Sequence, residues 1–429
     1  MKHYNNIILP ALFALLALLL LPASAAARQP FRTQPFSSHI RTLQVINTAG
    51  TLFDNPVITL GSEEQLEISF DELSHDGHNY SYTITHCNAD WTPSDLFSGE
   101  YLQGFTTADI TDYATSINTA VNYTHYRFLV PNEDMRLTRS GNYAVSIYED
   151  NDPDNKTVAT ACFSIVDPKI DVSANVISQT DIELNGRYQQ LNIVLNTRDY
   201  TMRDPASEIT VVVRQNGRLD NTVTLTRPST VGFGTMRYEH NRQLIFEGGN
   251  QFRRFDMPSL HLLGTGVDDL DYHQSNYHAL LQPALNMSRE PFREDNDANG
   301  HMIINAERVT DIDIEAEYIW VHLFMPAPTP FLDGQLYVCG QLNYNLLGPH
   351  NLMTYDQGQK GYFYTGLYKQ GGYDFQILFA PHGAEMTGGA TTFRTEGSHW
   401  QTHNEYTIYV YHRAIGDRYD SLIGYQVII

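Results

Sequence analysis

The chain has 429 residues, a formal net charge of −22, only three cysteines, and 27 tyrosines beside 20 phenylalanines. That acidity argues against nucleic acid, whose binding relies on Lys and Arg to neutralise phosphates, and against an anionic membrane surface. The length suggests two or three domains with real cores and no need of disulfide staples, and many rings with few strong helix runs predict an all-β protein.

Residues 1–27 read as a Sec signal peptide. Lys2 and His3 precede an apolar run from Ile7 to Leu21, which ends in Pro22-Ala23-Ser24-Ala25-Ala26-Ala27. The run is shorter than the ~20 residues of a membrane-spanning helix, and no cysteine follows it to take a lipid anchor. The remainder is expected to be exported and soluble.

Residues 28–167 read as an immunoglobulin or fibronectin-like β-sandwich. His39 to Asn47 opens it, and Leu66, Ile68 and Phe70 alternate in the next strand. Tyr80, Tyr82 and Ile84 point to one side of a third, with Ser81, Thr83 and Thr85 on the other. That strand breaks at Asn88-Ala89-Asp90, and the loop beyond carries Trp91, Phe97, Tyr101 and Phe105. Four such rings must pack on their own domain, the simpler reading, or present anchors to a protein partner. Tyr126 to Val130, Tyr143 to Ile147 and Ala159 to Val166 complete the strand set, and Pro168 marks a boundary.

Residues 168–310 read as a central β-rich domain. Leu191, Ile193 and Leu195 alternate, and Asn216-Gly217 is a strong hairpin signal. Gly248-Gly249 is expected to supply unusual backbone angles, and Arg253, Arg254 and Asp256 an ion-pair network. Tyr272 to Leu285 is the most helix-compatible segment. Residues 311–429 read as a third unit, closed by strands at Glu405 to Tyr411 and Leu422 to Ile429. The order Leu336 to Asn345, Met353-Thr354-Tyr355-Asp356, Gly371-Gly372-Tyr373 resembles early-set immunoglobulin modules, some of which bind starch or glycogen. The ring usually found after the Asn of the first segment is missing, and Tyr344 is the nearest, so a structural module is the expectation.

Catalysis finds little footing. There is no G-x-S-x-G elbow, papain-like cysteine context or H-E-x-x-H, and no strand–helix alternation for a (β/α)₈ barrel. Asp295-Asn296-Asp297-Ala298-Asn299-Gly300 matches half of a calcium loop, but position twelve is Ala306, so a polar turn is expected. His86 and Cys87, adjacent on a strand, face opposite sides and cannot share a metal. Cys87, Cys162 and Cys339 are expected to be buried thiols, although export permits a Cys87–Cys162 bond. No catalytic, metal or cofactor residue is expected.

Several segments together resemble one family, the plug protein of the bacterial type IX secretion system. They are His86-Cys87-Asn88-Ala89-Asp90-Trp91, Ser98-Gly99-Glu100-Tyr101, Tyr123-Thr124-His125-Tyr126 and Ser140-Gly141-Asn142-Tyr143. Phe246-Glu247-Gly248-Gly249-Asn250 through Asp256, Asn404-Glu405-Tyr406 and Gly416-Asp417-Arg418-Tyr419-Asp420 follow in order. The resemblance implies a non-catalytic periplasmic protein, monomeric when free. It would bind a very large outer-membrane β-barrel translocon and close its channel while no cargo is engaged. The family supplies no contact motif, so Trp91, Phe97, Tyr101 and Phe105 stand as contact candidates on their chemistry alone. A carbohydrate-binding exported protein using Tyr344, or a β-sandwich glycan hydrolase, are the alternatives.

Overall fold

A computed structural model describes residues 29–429 apart from 75–76, 151, 153–155, 185 and 384–388; the expected signal peptide lies outside the described residues. The fold is all-β: three sandwiches of mainly antiparallel sheets.

In the first, one sheet runs Gln34–Pro35, Thr157–Val166, Gly141–Glu149, Tyr80–Cys87, Thr107–Ile110, with Val57–Thr59 added parallel to Thr157–Val166. The facing sheet runs Ile40–Asn47, Leu66–Glu72, Thr124–Val130, Asp112–Thr115. The period-2 pattern decides which side is inside. Tyr80, Tyr82 and Ile84 are buried while Ser81, Thr83 and Thr85 are only partly so, and Leu66, Ile68 and Phe70 meet them across the core.

The central sandwich packs Asp171–Ile177, Tyr188–Asn196, Thr235–Tyr238 and Thr230–Gly232 against Val223–Leu225, Ile209–Gln215, Tyr406–His412 and Ser421–Ile428. Its core joins Leu191, Ile193 and Leu195 to Val211, Val213, Ile408 and Val410. The two last strands of the chain therefore close the central sandwich, not the third module where the sequence reading puts them. Tyr406–His412 pairs residue for residue with Ile209–Gln215, some 200 positions earlier, as in Val211↔Val410, and Ser421–Ile428 pairs in turn with Tyr406–His412. Local periodicity carries no information about such a distant partner.

The third sandwich begins before residue 311. Arg253–Asp256 and Met302–Ile304 flank Gly371–Pro381, and Val267–His273 with Asn276–Leu281 extends the sheet of Tyr318–Pro326 and Gly361–Lys369. The expected borders of 168–310 and 311–429 give way to a chain that leaves the central sandwich after Glu247, builds the third, and returns near Asn404. The helix-compatible segment is a β-hairpin. Gln274 and Ser275 both take positive φ, 50° and 65°, the two-residue turn that matches strand twist. Asn216 and Gly217 also take positive φ, 52° and 65°, but they only begin a longer connection, since Ile209–Gln215 pairs next with Val223–Leu225.

Candidate partner surface

The strand Tyr80–Cys87 ends in a turn held by its own backbone. The Asn88 amide donates to Thr92 O at 2.8 Å, and the Trp91 amide to Asn88 O at 2.9 Å. Trp91 takes φ +67°, uncommon for a bulky residue. The Phe31 amide fixes it by donating to Trp91 O at 3.0 Å. The Gly416–Asp420 loop between the last two strands sits on this turn. Asp420 Oδ2 accepts from the Ala89 amide at 2.9 Å, and Asp420 Oδ1 lies 3.0 Å from Arg413 Nε. The Tyr419 ring stands edge-on to the His86 imidazole at 5.3 Å. Gly141 completes the joint: at φ +140°, a Cβ there would fall 2.5 Å from His86 Nε2. Asn142 donates to Asn88 O at 2.9 Å while its Oδ1 accepts from Tyr411 at 2.9 Å.

Three further segments meet at a second joint. Both Glu247 carboxylate oxygens are taken, by the Thr391 hydroxyl and by the amide and hydroxyl of Thr392, at 2.6–2.9 Å. A Cβ on Gly248 would lie 2.1 Å from His399 O, so only glycine fits, and Gly249 takes φ +63°. Asn404 donates to Gly248 O at 2.7 Å, and Arg253 pairs with Glu396 at 2.8 Å. Arg254 pairs with Asp374 at 3.0 Å, so both arginines are ion-paired, but with the distant Glu396 and Asp374 in place of the expected Asp256.

The third joint seats the first sandwich on the third. Lys369 Nζ, Tyr318 Oη and His125 Nδ1 each lie 2.7 Å from an Asp71 oxygen. Burial pushes the Asp71 carboxyl up, but the Lys369 charge and the His125 contact outweigh it and hold the group below its ordinary range. Glu317 accepts the amides of Ala120 and Val121 beside it. No local signal marks this cluster, because Asp71 and Lys369 stand 298 residues apart.

The four aromatic candidates separate. Phe97 is 76% and Phe105 65% exposed. Phe97 heads the one-turn helix Ser98–Tyr101, where Glu100 caps its amide at 2.8 Å, and the Arg418 guanidinium lies 5.8 Å from its ring. Tyr101 is a core residue whose hydroxyl donates to Ile84 O at 3.0 Å, so it has little ring surface to offer. Trp91 is half-buried, 5.6 Å from the Arg214 guanidinium, which also faces Tyr409 at 5.7 Å.

The remaining polar candidates are likewise structural. Asp297 spends its oxygens on the amides of Phe252 and Asn299, making Asp295–Gly300 a backbone-bonded turn. His86 is buried between Ser94 Oγ (3.0 Å) and Ser140 O (3.1 Å), and burial lowers its pKa to about 4. Cys87, Cys162 and Cys339 are buried free thiols. Gly141–Glu149 runs between the strands of Cys87 and Cys162, and two strand spacings, about 9.5 Å, exceed the reach of a disulfide. Tyr344 is not a free sugar platform. Its ring packs on the core of the first sandwich and its hydroxyl accepts the Leu43 amide at 3.3 Å. A cleft of about 790 Å³ beside Trp400 has no Asp or Glu side chain in its lining, so it offers no carboxylate pair for glycoside hydrolysis.

Residues 40–167 match the family model described as the type 9 secretion system plug protein 1st domain. The first sandwich is therefore the first domain of a type 9 secretion plug-type protein. The match ties the chain to type 9 secretion and the cell envelope, and the family is one of plugs, not of enzymes. The plug match spans the first sandwich from Ile40 to its last strand. A crystal structure of a hypothetical protein from Parabacteroides merdae is 38% identical over 93% of this plug chain and 99% of its own, with a TM-score of 0.90. Latent PorU from Porphyromonas gingivalis (11% identity, 91% of this chain and 34% of its own) gives a TM-score of 0.15, too low to indicate a common fold. No curated protein matches the chain.

Proposed function

We propose that this protein is a periplasmic stopper, which binds a large outer-membrane β-barrel translocon and occludes its channel while no cargo is engaged. The observation that carries the reading, beside the family match, is mechanical. The segments by which the chain resembles the family meet one another at the joints between sandwiches, so residues 31–429 form one compact unit. A channel wide enough for folded cargo needs a blocker that does not deform, and a net charge of −22 keeps the free form soluble. A reversible stopper requires a contact of roughly 1,200–2,000 Å² with a few aromatic anchors. Phe97 and Phe105 supply exposed rings for that purpose, on a loop fixed at both ends.

The test is deletion and capture. Removing the protein should make the outer membrane permeable to small solutes, and the protein purified from its own envelope should carry the translocon with it. An envelope equally tight without it, together with no barrel in the purified complex, would overturn the reading.

A further inference from the structure

The first sandwich ends on one side in a continuous open edge. Thr107–Ile110 closes one sheet, the chain crosses at Thr111, and Asp112–Thr115 closes the facing sheet. All four residues of Asp112–Thr115 are exposed, and among the described residues the strand pairs with Thr124–Val130 alone. Folded proteins guard such edges with Lys, Pro, a bulge or a covering element, because unpaired N–H and C=O groups recruit other strands. From Phe105 to Tyr123 there is no Lys, Arg or Pro, and the pairing carries no bulge. The Asp112 carboxylate lies 2.9 Å from Arg127 on the neighbouring strand and remains exposed.

A second observation shows what the edge lacks. Phe70, Tyr126 and Tyr113 are in register across three neighbouring strands. The first two rings stack at 5.1 Å, and Tyr113 lies 5.5 Å from Tyr126. The aromatic row then stops on a ring that is 55% exposed. Cross-strand ring pairs are a unit of sheet stabilisation, so one more strand would continue the row. The surroundings set the charge of the newcomer. Asp109 is exposed on the same edge, and Asp311, Asp313 and Glu315 sit on the adjacent turn, where the Ile117 amide donates to Ile314 O at 2.8 Å. Arg127 is already shared between Asp112 and Asp313.

We propose that Asp112–Thr115 is a strand-addition site for an extended, Lys- or Arg-bearing segment of the outer-membrane partner. That segment places an apolar side chain against Tyr113 and its cations beside Asp109 and the Asp311–Glu315 turn. A second copy of this chain is a poor occupant, since its own edge is acidic and offers no Lys or Arg between Phe105 and Tyr123. The inference rests on the reading that the protein works bound to a translocon.

The experiment puts a photo-reactive phenylalanine analogue at Tyr113 in one full-length variant and at Phe97 in another, each expressed in its own envelope. A Tyr113 cross-link mapping to a basic extended segment of the outer-membrane barrel supports the proposal. Tyr113→Lys should then lower barrel co-purification at least tenfold while the protein still melts as a folded chain, only a few degrees lower for the lost ring contact with Tyr126. Thr106→Lys, at the start of the same edge but away from the aromatic row, should leave capture within twofold. A cross-link to a second copy or to residues 1–28 overturns the proposal, as does a co-purification unchanged by Tyr113→Lys. Barrel capture at Phe97 with none at Tyr113 overturns the edge assignment and leaves the stopper reading standing. No barrel at either position overturns both.

Discussion

Lys369 of the third sandwich places its ammonium 2.7 Å from Asp71 Oδ2 of the first, with side-chain exposures of 2% and 0%. Lys369 also donates to Asp313 O at 2.7 Å and lies 4.3 Å from the centre of the Tyr123 ring. Such a pair does little for stability while whole and much when halved, because its survivor is a buried charge without a partner. Lys369→Met should therefore destabilise the protein by about 3–5 kcal/mol in urea unfolding. Asp71→Asn in that background should recover part of the loss. Asp71 has its folded pKa below the ordinary 3.8, so its contribution is present above that value and fades as pH falls through the lower folded one.

His86 predicts a second pH dependence in a different window. Ser140 O only accepts, so Nε2 carries the proton and Nδ1 accepts from Ser94. Burial first, and the Arg139 charge with it, lower the pKa from 6.5 to about 4. The unfolded chain therefore binds a proton that the folded one refuses. Stability should be full above pH 6.5 and fall by about 3 kcal/mol as pH drops towards 4. A His86→Gln variant should show a flatter profile in that window. An unchanged slope would mean that folding leaves the proton affinity of the imidazole unaltered.

Gly248 and Gly99 offer a matched pair. An added methyl at Gly248 meets the His399 carbonyl, which is backbone and cannot swing away, whereas Gly99 has nothing within 4 Å. Gly248→Ala should cost about 3 kcal/mol, and Gly99→Ala should be neutral or slightly stabilising. Thermal melts of the two variants side by side check this.

The aromatic loop separates folding from capture. Tyr101→Ala should lose about 3–5 kcal/mol, the cost of emptying a buried ring site. Phe97→Ala should change stability by no more than about 0.5 kcal/mol. If the stopper reading holds, Phe97→Ala with Phe105→Ala reduces translocon co-purification while leaving the melt intact.

Trp91 tests the joint between the first and central sandwiches. Trp91→Ala strips one face from the Arg214 guanidinium, and Arg214→Lys replaces a flat stacking group by a point charge. Urea unfolding should register about 2 kcal/mol for the first and about 1 kcal/mol for the second.

Alternation made the strands legible. Tyr80, Tyr82 and Ile84 declare an inner face because side chains on a strand alternate whatever lies beyond it. The left-handed turn at Asn216-Gly217 was readable for a similar local reason, while the two-residue hairpin at Gln274-Ser275 was hidden by residues that seldom adopt it. The family segments were readable as words, but not their use. Nothing in Asn88-Ala89-Asp90 announces that Asp420 will accept its amide from 331 residues away.

Sequence alone determined that this is an acidic, all-β chain carrying the segments of a plug-type protein, since composition, period-2 patterning and motif order are properties of the string. Only the tertiary structure decided that Tyr406–His412 returns to Ile209–Gln215, that Tyr101 lies inside while Phe97 and Phe105 lie outside, and that Tyr113 ends an open row. Strand partnership and burial depend on which distant segments come together, and a repeat of two residues is blind to distance.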